Sequence, residues 1–390
     1  MSTVRHTSRR TRAAGLAALA IVSVSALAAC GSDSSSSAGG STGSGGGSGD
    51  NPAWCGDGDL VAGFQDGGGL NGWSKESKAQ ALQGFKECSN ITDVKTVDAK
   101  FDLQAAISGL QGMVAQGAKA VVIIPDAGGS GEAELPGITS AQSRGVAIVP
   151  WASDPGGEAG KDYLTYVDSD HEYDGQLWGE WMSKQLPDGG KVIFVGGPAG
   201  NQVSADELAG IKSGLADNID LVSGDDTWIE GNWDPAAAQQ ALGAVLSANP
   251  DIKGVISDEG LMSTGIIKAF QTAGIALPPM ASLEANALSC EWTKAQADNP
   301  DFKLATSSAR NWTARIAVQL AVAKAQGVDI PEDELLSPDD ILKLPLFEDS
   351  TVADQQPICD DSAPEDALLS NDISDEQIMK LTRGEGGWRD

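Results

Sequence analysis

Histidine is almost missing from this chain: His6 and His171 are the two in 390 residues. Cysteine is scarce as well, with five in all and no two of them in a CxxC spacing. Zinc sites need several Cys or His ligands at short spacing, so neither a metal centre nor thiol catalysis is expected. No HExxH occurs, and no GxSxG outside the Gly/Ser stretch before Ala53, which removes the common signatures of metalloprotease and serine hydrolase chemistry from the body of the chain. Positive charge is also in short supply: 26 Lys and Arg stand against 55 Asp and Glu, for a net charge of −29. A field of that sign repels polyanions. Nucleic acid and phosphorylated ligands are therefore unexpected partners, a neutral or cationic small molecule suits better, and no cofactor is implied.

What is present begins with a leader. Arg5, Arg9, Arg10 and Arg12 precede an apolar run from Ala13 to Ala29, the charge and length pattern of a signal peptide and too short for a comfortable membrane span. The run ends Leu27-Ala28-Ala29-Cys30, which resembles the bacterial lipobox. That resemblance implies removal of 1–29 and lipidation of Cys30. Loss of the four arginines takes the charge from −29 to −33. Residues 30–53 are then the lipidated cysteine and a Gly/Ser tether, whose 23 residues from Gly31 to Ala53 span roughly 25 to 30 Å. The expected location is the outer face of the cell membrane, held through the lipid alone. Ser8-Arg9-Arg10 leaves the twin-arginine export route open, although Thr11 and Arg12 stand where an apolar residue is expected. Four cysteines remain in the body, Cys55, Cys88, Cys290 and Cys359. In an exported chain these read as two disulfides with three possible connectivities. Neighbourhood favours Cys55 with Cys88 and Cys290 with Cys359, each fastening a loose end to a nearby helix.

From Trp54 onward short apolar strands alternate with amphipathic helices. Strand-like segments are Leu60 to Phe64, Ile91 to Val97, Ala120 to Ile124 and Val146 to Val149. Leu103, Ala106, Ile107, Leu110, Met113 and Val114 mark one helical stripe. The alternation restarts with strands at Val192 to Val195, Ile219 to Val222, Val255 to Ser257 and Met280 to Leu283, and helices near 204–216, 234–248 and 261–273. Two successive runs of this kind predict an α/β chain with two doubly wound parallel-sheet lobes.

The same stretch resembles the type I periplasmic sugar-binding proteins of ABC importers, the ribose- and galactose-binding group. Gly63-Phe64 followed by Asn71-Gly72-Trp73, then Val121-Val122-Ile123-Ile124-Pro125, Val167-Asp168-Ser169-Asp170, Ala248-Asn249-Pro250-Asp251 and Ala269-Phe270-Gln271-Thr272-Ala273-Gly274 carry it. The resemblance implies a multi-strand hinge, with a first lobe of 54–167 plus 311–345 and a second of 168–310 plus 346–390. The chain crosses between them near Val167, near Arg310 and again in the tail, where 342–347 reads as a last strand. A monomeric protein is implied that hands a sugar to an ABC permease with its ATPase. A sugar-sensing receptor subunit is the alternative, and a glycoside-processing enzyme a more distant one.

Ligands of open parallel α/β sheets sit beyond the carboxyl ends of the strands. Trp73, Trp151, Trp233 and Trp312 fall there, and indoles suit the C–H face of a sugar. A polar rim is expected from Asn71, Asp126, Asp154, Asp258, Glu259, Glu284, Asn286 and Arg310. By resemblance, Trp73 and Trp233 are the stacking aromatics of the two lobes, and Glu284 a hydroxyl acceptor. Two departures from the family pattern stand out: Trp151-Ala152-Ser153-Asp154 where relatives often place an Asp-Arg or Asp-Ser pair, and Asp206-Glu207 where many carry a nearby arginine. Trp178, Trp181 and Trp228 are expected in packing or at the surface, and His171 at a helix start or on the surface. Asp258-Glu259 with Glu284 superficially suggests the paired carboxylates of a glycosidase, but adjacent residues at a strand end point in different directions, and no enzyme is expected.

Overall fold

The computed structural model describes residues 51–68, 72–129, 131–224 and 226–389. Cys30 and Asn71 lie outside them, as do the leader and nearly all of the tether.

The first sheet contains β1 (Leu60–Asp66), β2 (Ile91–Asp98), β3 (Ala118–Ile124) and β4 (Ala147–Pro150), all parallel, in the order β2-β1-β3-β4. The apolar run of β3 is buried on both faces. Ala120, Val122 and Ile124 meet the side covered by α1 (Gly72–Lys86), and Val121 and Ile123 the side covered by α2 (Leu103–Ala115) and α3 (Leu135–Ser143). A strand sandwiched in this way has no reason to alternate polar and apolar residues.

In the second lobe, β5 (Asp168–Ser169) leads into α4 (His171–Gln185), and β6 (Gly190–Gly196) into α5 (Gln202–Gly214). Then come β7 (Ile219–Leu221), β8 (Ile229–Glu230), α6 (Pro235–Ala248), β9 (Ile252–Ser257), α7 (Gly260–Ala273), β10 (Met280–Leu283), α8 (Asn286–Ala295) and β11 (Leu304–Ser307). After α9 (Ala314–Gln326), which returns to the first lobe, β12 (Ile341–Leu342), β13 (Glu348–Asp349) and α10 (Asp375–Thr382) complete the chain. The second sheet runs β13-β11-β10-β9-β6-β7, with β8 also on β6 and β13 the one antiparallel edge. Two parallel-sheet lobes, as expected, make up the body.

Helices α4 and α5 approach each other closely because glycines line their crossing. A Cβ on Gly175 would stand 2.0 Å from the Glu207 carbonyl oxygen, and one on Gly210 1.8 Å from that of Glu172. This crossing brings the backbone of Glu207 against Gly175 and that of Glu172 against Gly210, near the N-terminal ends of both helices.

The hinge departs from expectation at its end. β5 pairs in parallel with β12, Asp168 N–H bonding Asp340 O at 3.0 Å, and residues 308–313 make another crossing. Strand pairing flanks 342–347 at β12 and β13 instead of filling it. The tail does not stay with the second lobe throughout 346–390. Up to residue 371 it is held there by β13 and by the Cys290–Cys359 disulfide. Ile373, Ile378 and Leu381 then enter the first-lobe core, making a fourth crossing. Burial of these apolar groups against α1 and α9 outweighs continuity with the second lobe. Both favoured disulfides form, Cys55–Cys88 and Cys290–Cys359. Among the described residues no helix is long and apolar enough to cross a membrane.

Candidate ligand cleft

The carboxyl ends of the strands of both lobes face one cleft, an inner chamber of about 820 Å³ of open space adjoining an outer one of about 1340 Å³. The inner wall is formed by Trp73, Trp151, Trp233, Asp126, Asp258, Glu259 and Arg310, all expected there, together with Phe101, Asp168 and His171. Asp154 stands further out, its carboxylate accepting from Gly156 N–H at 2.8 Å.

Among the described residues six non-glycine residues have positive φ, and four of them line the inner chamber: Phe101 (60°), Ala152 (61°), Trp233 (53°) and Arg310 (67°). Side chains tolerate this region at a cost, and such strain gathers at functional sites. Here it aims side chains inward. Trp233 sits just ahead of α6, whose start is secured by Asp234 accepting from Ala237 N–H at 2.7 Å and by Pro235 in the first turn. Its indole lies on Gly197, where a Cβ would come within 2.5 Å of the ring.

The tryptophans do not share one role. Trp73 and Trp151 stack at 5.4 Å between centroids and 5° between planes. Trp73 therefore has Trp151 behind it, and the aromatic across the cleft is Trp233. Trp312 does not reach the cleft. It is fully buried, donates to Ser308 Oγ at 3.1 Å and meets Trp388 edge-on. Trp178 and Trp181 pack in the second-lobe core as expected.

Three expected rim carboxyl or amide groups hold backbone instead. Glu284 accepts from Ala309 N–H at 3.0 Å and Ser370 N–H at 2.9 Å. Asn286 donates to the carbonyls of Asp360, Ala363 and Pro364, clamping the tail beside its disulfide. Glu259 borders the cleft, but its carboxylate caps α7 through Leu261 and Met262 N–H. A buried carboxylate surrounded by donors fits backbone clamping as well as sugar binding, so the sequence alone could not separate the two.

Asp258 is different. Its Oδ2 accepts from Ser204 Oγ at 2.6 Å and Gly197 N–H at 3.0 Å, while Oδ1 is buried without a well-aligned donor, the Trp233 side chain lying within reach of the carboxylate. Burial pushes its carboxyl up to about 6, and does the same for Asp126.

At the hinge, the α4–α5 crossing collects a charge cluster. Arg310 pairs with Asp174 and lies 3.9 Å from Glu207. His171 Nε2 is 2.9 Å from Asp168 Oδ2, and its Nδ1 3.8 Å from Glu207 Oε1. Burial opposes the His171 charge, yet these carboxylates push its pKa up to about 10. Burial pushes Glu207 up to about 8, while His171 and Arg310 pull against it. His171 does start α4, as expected, but it is buried against the cleft and not at the surface. Asp168, Asp174 and Glu207 were not among the expected site residues. The acids at 206–207 in place of a basic residue were the available signal.

Comparison with known proteins places this arrangement. Residues 69–329 match the model of the periplasmic binding protein domain. The chain belongs to that family. The D-ribose/D-allose-binding protein of Pseudomonas aeruginosa is 26% identical over 177 residues, 44% of this chain and 53% of that protein. The ribose import binding protein RbsB of Salmonella typhimurium is 26% identical over 113 residues, 29% and 37% respectively. The matches thus span about half or less of these relatives. Among solved structures, an ABC transporter solute binding protein from Thermobispora bispora superposes with a TM-score of 0.63 at 20% identity, over 83% of this chain and 95% of that one. The Caulobacter myo-inositol binding protein bound to myo-inositol gives 0.59 at 18%, over 70% and 90%. The periplasmic binding protein fold of type I is thereby established, the member described here carrying its cleft between the two lobes.

Proposed function

We propose that this periplasmic binding protein captures a sugar or related polyol outside the cytoplasm and delivers it to an ABC permease with its ATPase. The observation that carries this reading is the cleft itself, in which Trp73 and Trp233 offer aromatic faces from opposite lobes beside the fixed hydrogen-bonding groups Asp126, Asp258 and Arg310. A polyol presents C–H faces and a rim of hydroxyls, and that combination of walls suits both. The ribose-binding relatives support the same reading. Closure of the lobes on the ligand follows, because a ligand touching both lobes binds the closed form better. No catalytic step is proposed: the Glu259 carboxylate is committed to the α7 start and so does not act with Asp258 as a free pair. Residues 1–29 act as the signal peptide and Cys30 carries the lipid anchor. The protein works as a monomer.

A thermal-shift screen of mono- and disaccharides tests this reading, since ligand at 100 times its Kd adds about 2.7 kcal/mol of stability. Scattering on the full chain with the best hit should show a smaller radius of gyration at saturation. A screen without any stabilising sugar or polyol overturns the proposal. For the anchor, Cys30→Ala should move the protein from membrane to soluble fractions; continued membrane partition overturns that part.

A further inference from the structure

Both cations that reach the cleft are already committed. His171 is 2.9 Å from Asp168, and Arg310 is paired with Asp174. Asp126 and Asp258 are not so balanced: among the described residues no lysine, arginine or histidine forms an ion pair with either. The Asp258 side chain is the sharper case, in a residue only 3% exposed. One oxygen accepts from Ser204 and Gly197, which hold the group rigidly, and the other meets no well-aligned donor, the Trp233 side chain alone lying within reach of the carboxylate. The Trp233 indole stands beside it on the same wall.

A hydroxyl donated to Oδ1 would satisfy the missing hydrogen bond and leave a negative charge buried. An ammonium would satisfy both, with a charge-assisted bond and with the aromatic ring as a second partner. Resting on the polyol reading above, we propose that the cleft selects a cationic polyol: a sugar or cyclitol bearing a protonated amine, whose ammonium bonds Asp258 Oδ1 against Trp233. Its hydroxyls and C–H face would then meet the Trp73 side. Burial that holds Asp258 and Asp126 at about 6 is relieved when such a cation enters. The −29 charge of the chain adds long-range attraction for the same ligand and none for a neutral one.

The test is calorimetry at neutral pH on the full chain, with D-glucosamine, D-galactosamine and D-mannosamine, each against its neutral parent hexose and its N-acetyl form. The expected result is at least one amine binding about tenfold or more tighter than both, a difference of about 1.4 kcal/mol. Asp258→Asn should then cost the amine about tenfold more than it costs the parent sugar. Neutral parents binding as well as the amines overturns this inference and leaves sugar capture standing. No binding in any series overturns this inference, and sugar capture is then decided by the wider thermal-shift screen. The wild-type comparison decides the matter even if the variant folds poorly.

Discussion

The indole of Trp73 lies flat on that of Trp151, 5.4 Å between centroids and 5° between planes, and both N–H groups are tied to one crossing of the hinge. Trp73 donates to Ala309 O at 3.1 Å, and Trp151 to Thr313 Oγ1 at 2.8 Å. One ring borders the cleft and is partly buried, and the other is fully buried. Two neighbouring, parallel residues therefore have separable roles.

Trp73→Ala should weaken ligand binding by tens- to hundreds-fold, since truncating an aromatic anchor costs about 2 to 4 kcal/mol. Trp151→Ala should instead lower stability by about 3 to 5 kcal/mol, as core aromatic truncations do. Calorimetry and urea unfolding on both variants separate the two. Wild-type affinity in Trp73→Ala would show that its ring is not ligand surface.

Glu284 clamps the 309 and 370 segments and does not line the cleft chamber. Glu284→Gln replaces an acceptor by a mixed group facing two N–H donors. Stability should fall by about 1 to 3 kcal/mol, with affinity of the folded protein changed less than threefold or so. A large affinity loss at full stability would restore the hydroxyl-acceptor role expected from sequence.

Gly175→Ala should separate α4 from α5, because backbone and not a movable side chain stands 2.0 Å from the new methyl. A cost of about 1 to 3 kcal/mol or more follows from such overpacking. Glu207 should also move away from His171, so the imidazole titration followed by NMR should fall from about 10. An unchanged titration would place the control of His171 with Asp168 alone.

Stability should decline as pH rises from about 5 to about 10. Glu207 is raised from 4.5 to about 8 in the folded protein, and a raised acid contributes stability that is lost as pH climbs through its folded value. His171, raised from 6.5 to about 10, works in the same direction over a higher range. Glu134 and Glu284, both raised to about 7 by burial, add to the loss. Asp168, held below the usual range, acts oppositely and only in acid. Thermal melts of Glu207→Gln should match wild type near pH 5 and exceed it near pH 9. Coincident curves at both values would remove Glu207 from the effect.

Much of the fold was legible because it depends on local periodicity. The β10 bounds Met280–Leu283 coincide with their apolar run, and the α2 stripe through Leu110 and Met113 faces its core. The cleft aromatics and Asp126, Asp258 and Arg310 were legible for a similar reason, since strand ends can be read from sequence and strand ends make the cleft. Glu284, Asn286 and Trp312 satisfy the same rule and yet serve the backbone or the core. Their fate depends on where residues 360–371 and Trp388 lie, and no periodicity encodes that.

By itself, then, the sequence determined the two-lobed α/β plan and the strand ends at which the cleft forms, and it favoured one cysteine pairing of three, all consequences of spacing along the chain. Tertiary structure alone decided the stacking of Trp73 on Trp151, the fourth crossing by the tail and the charge cluster at the hinge. Asp168, His171, Asp174, Glu207 and Arg310 are spread over more than 140 residues of sequence and meet because glycines let two helices touch. Charge–charge energies in a buried site depend on distance and desolvation, and both exist only once the chain has folded.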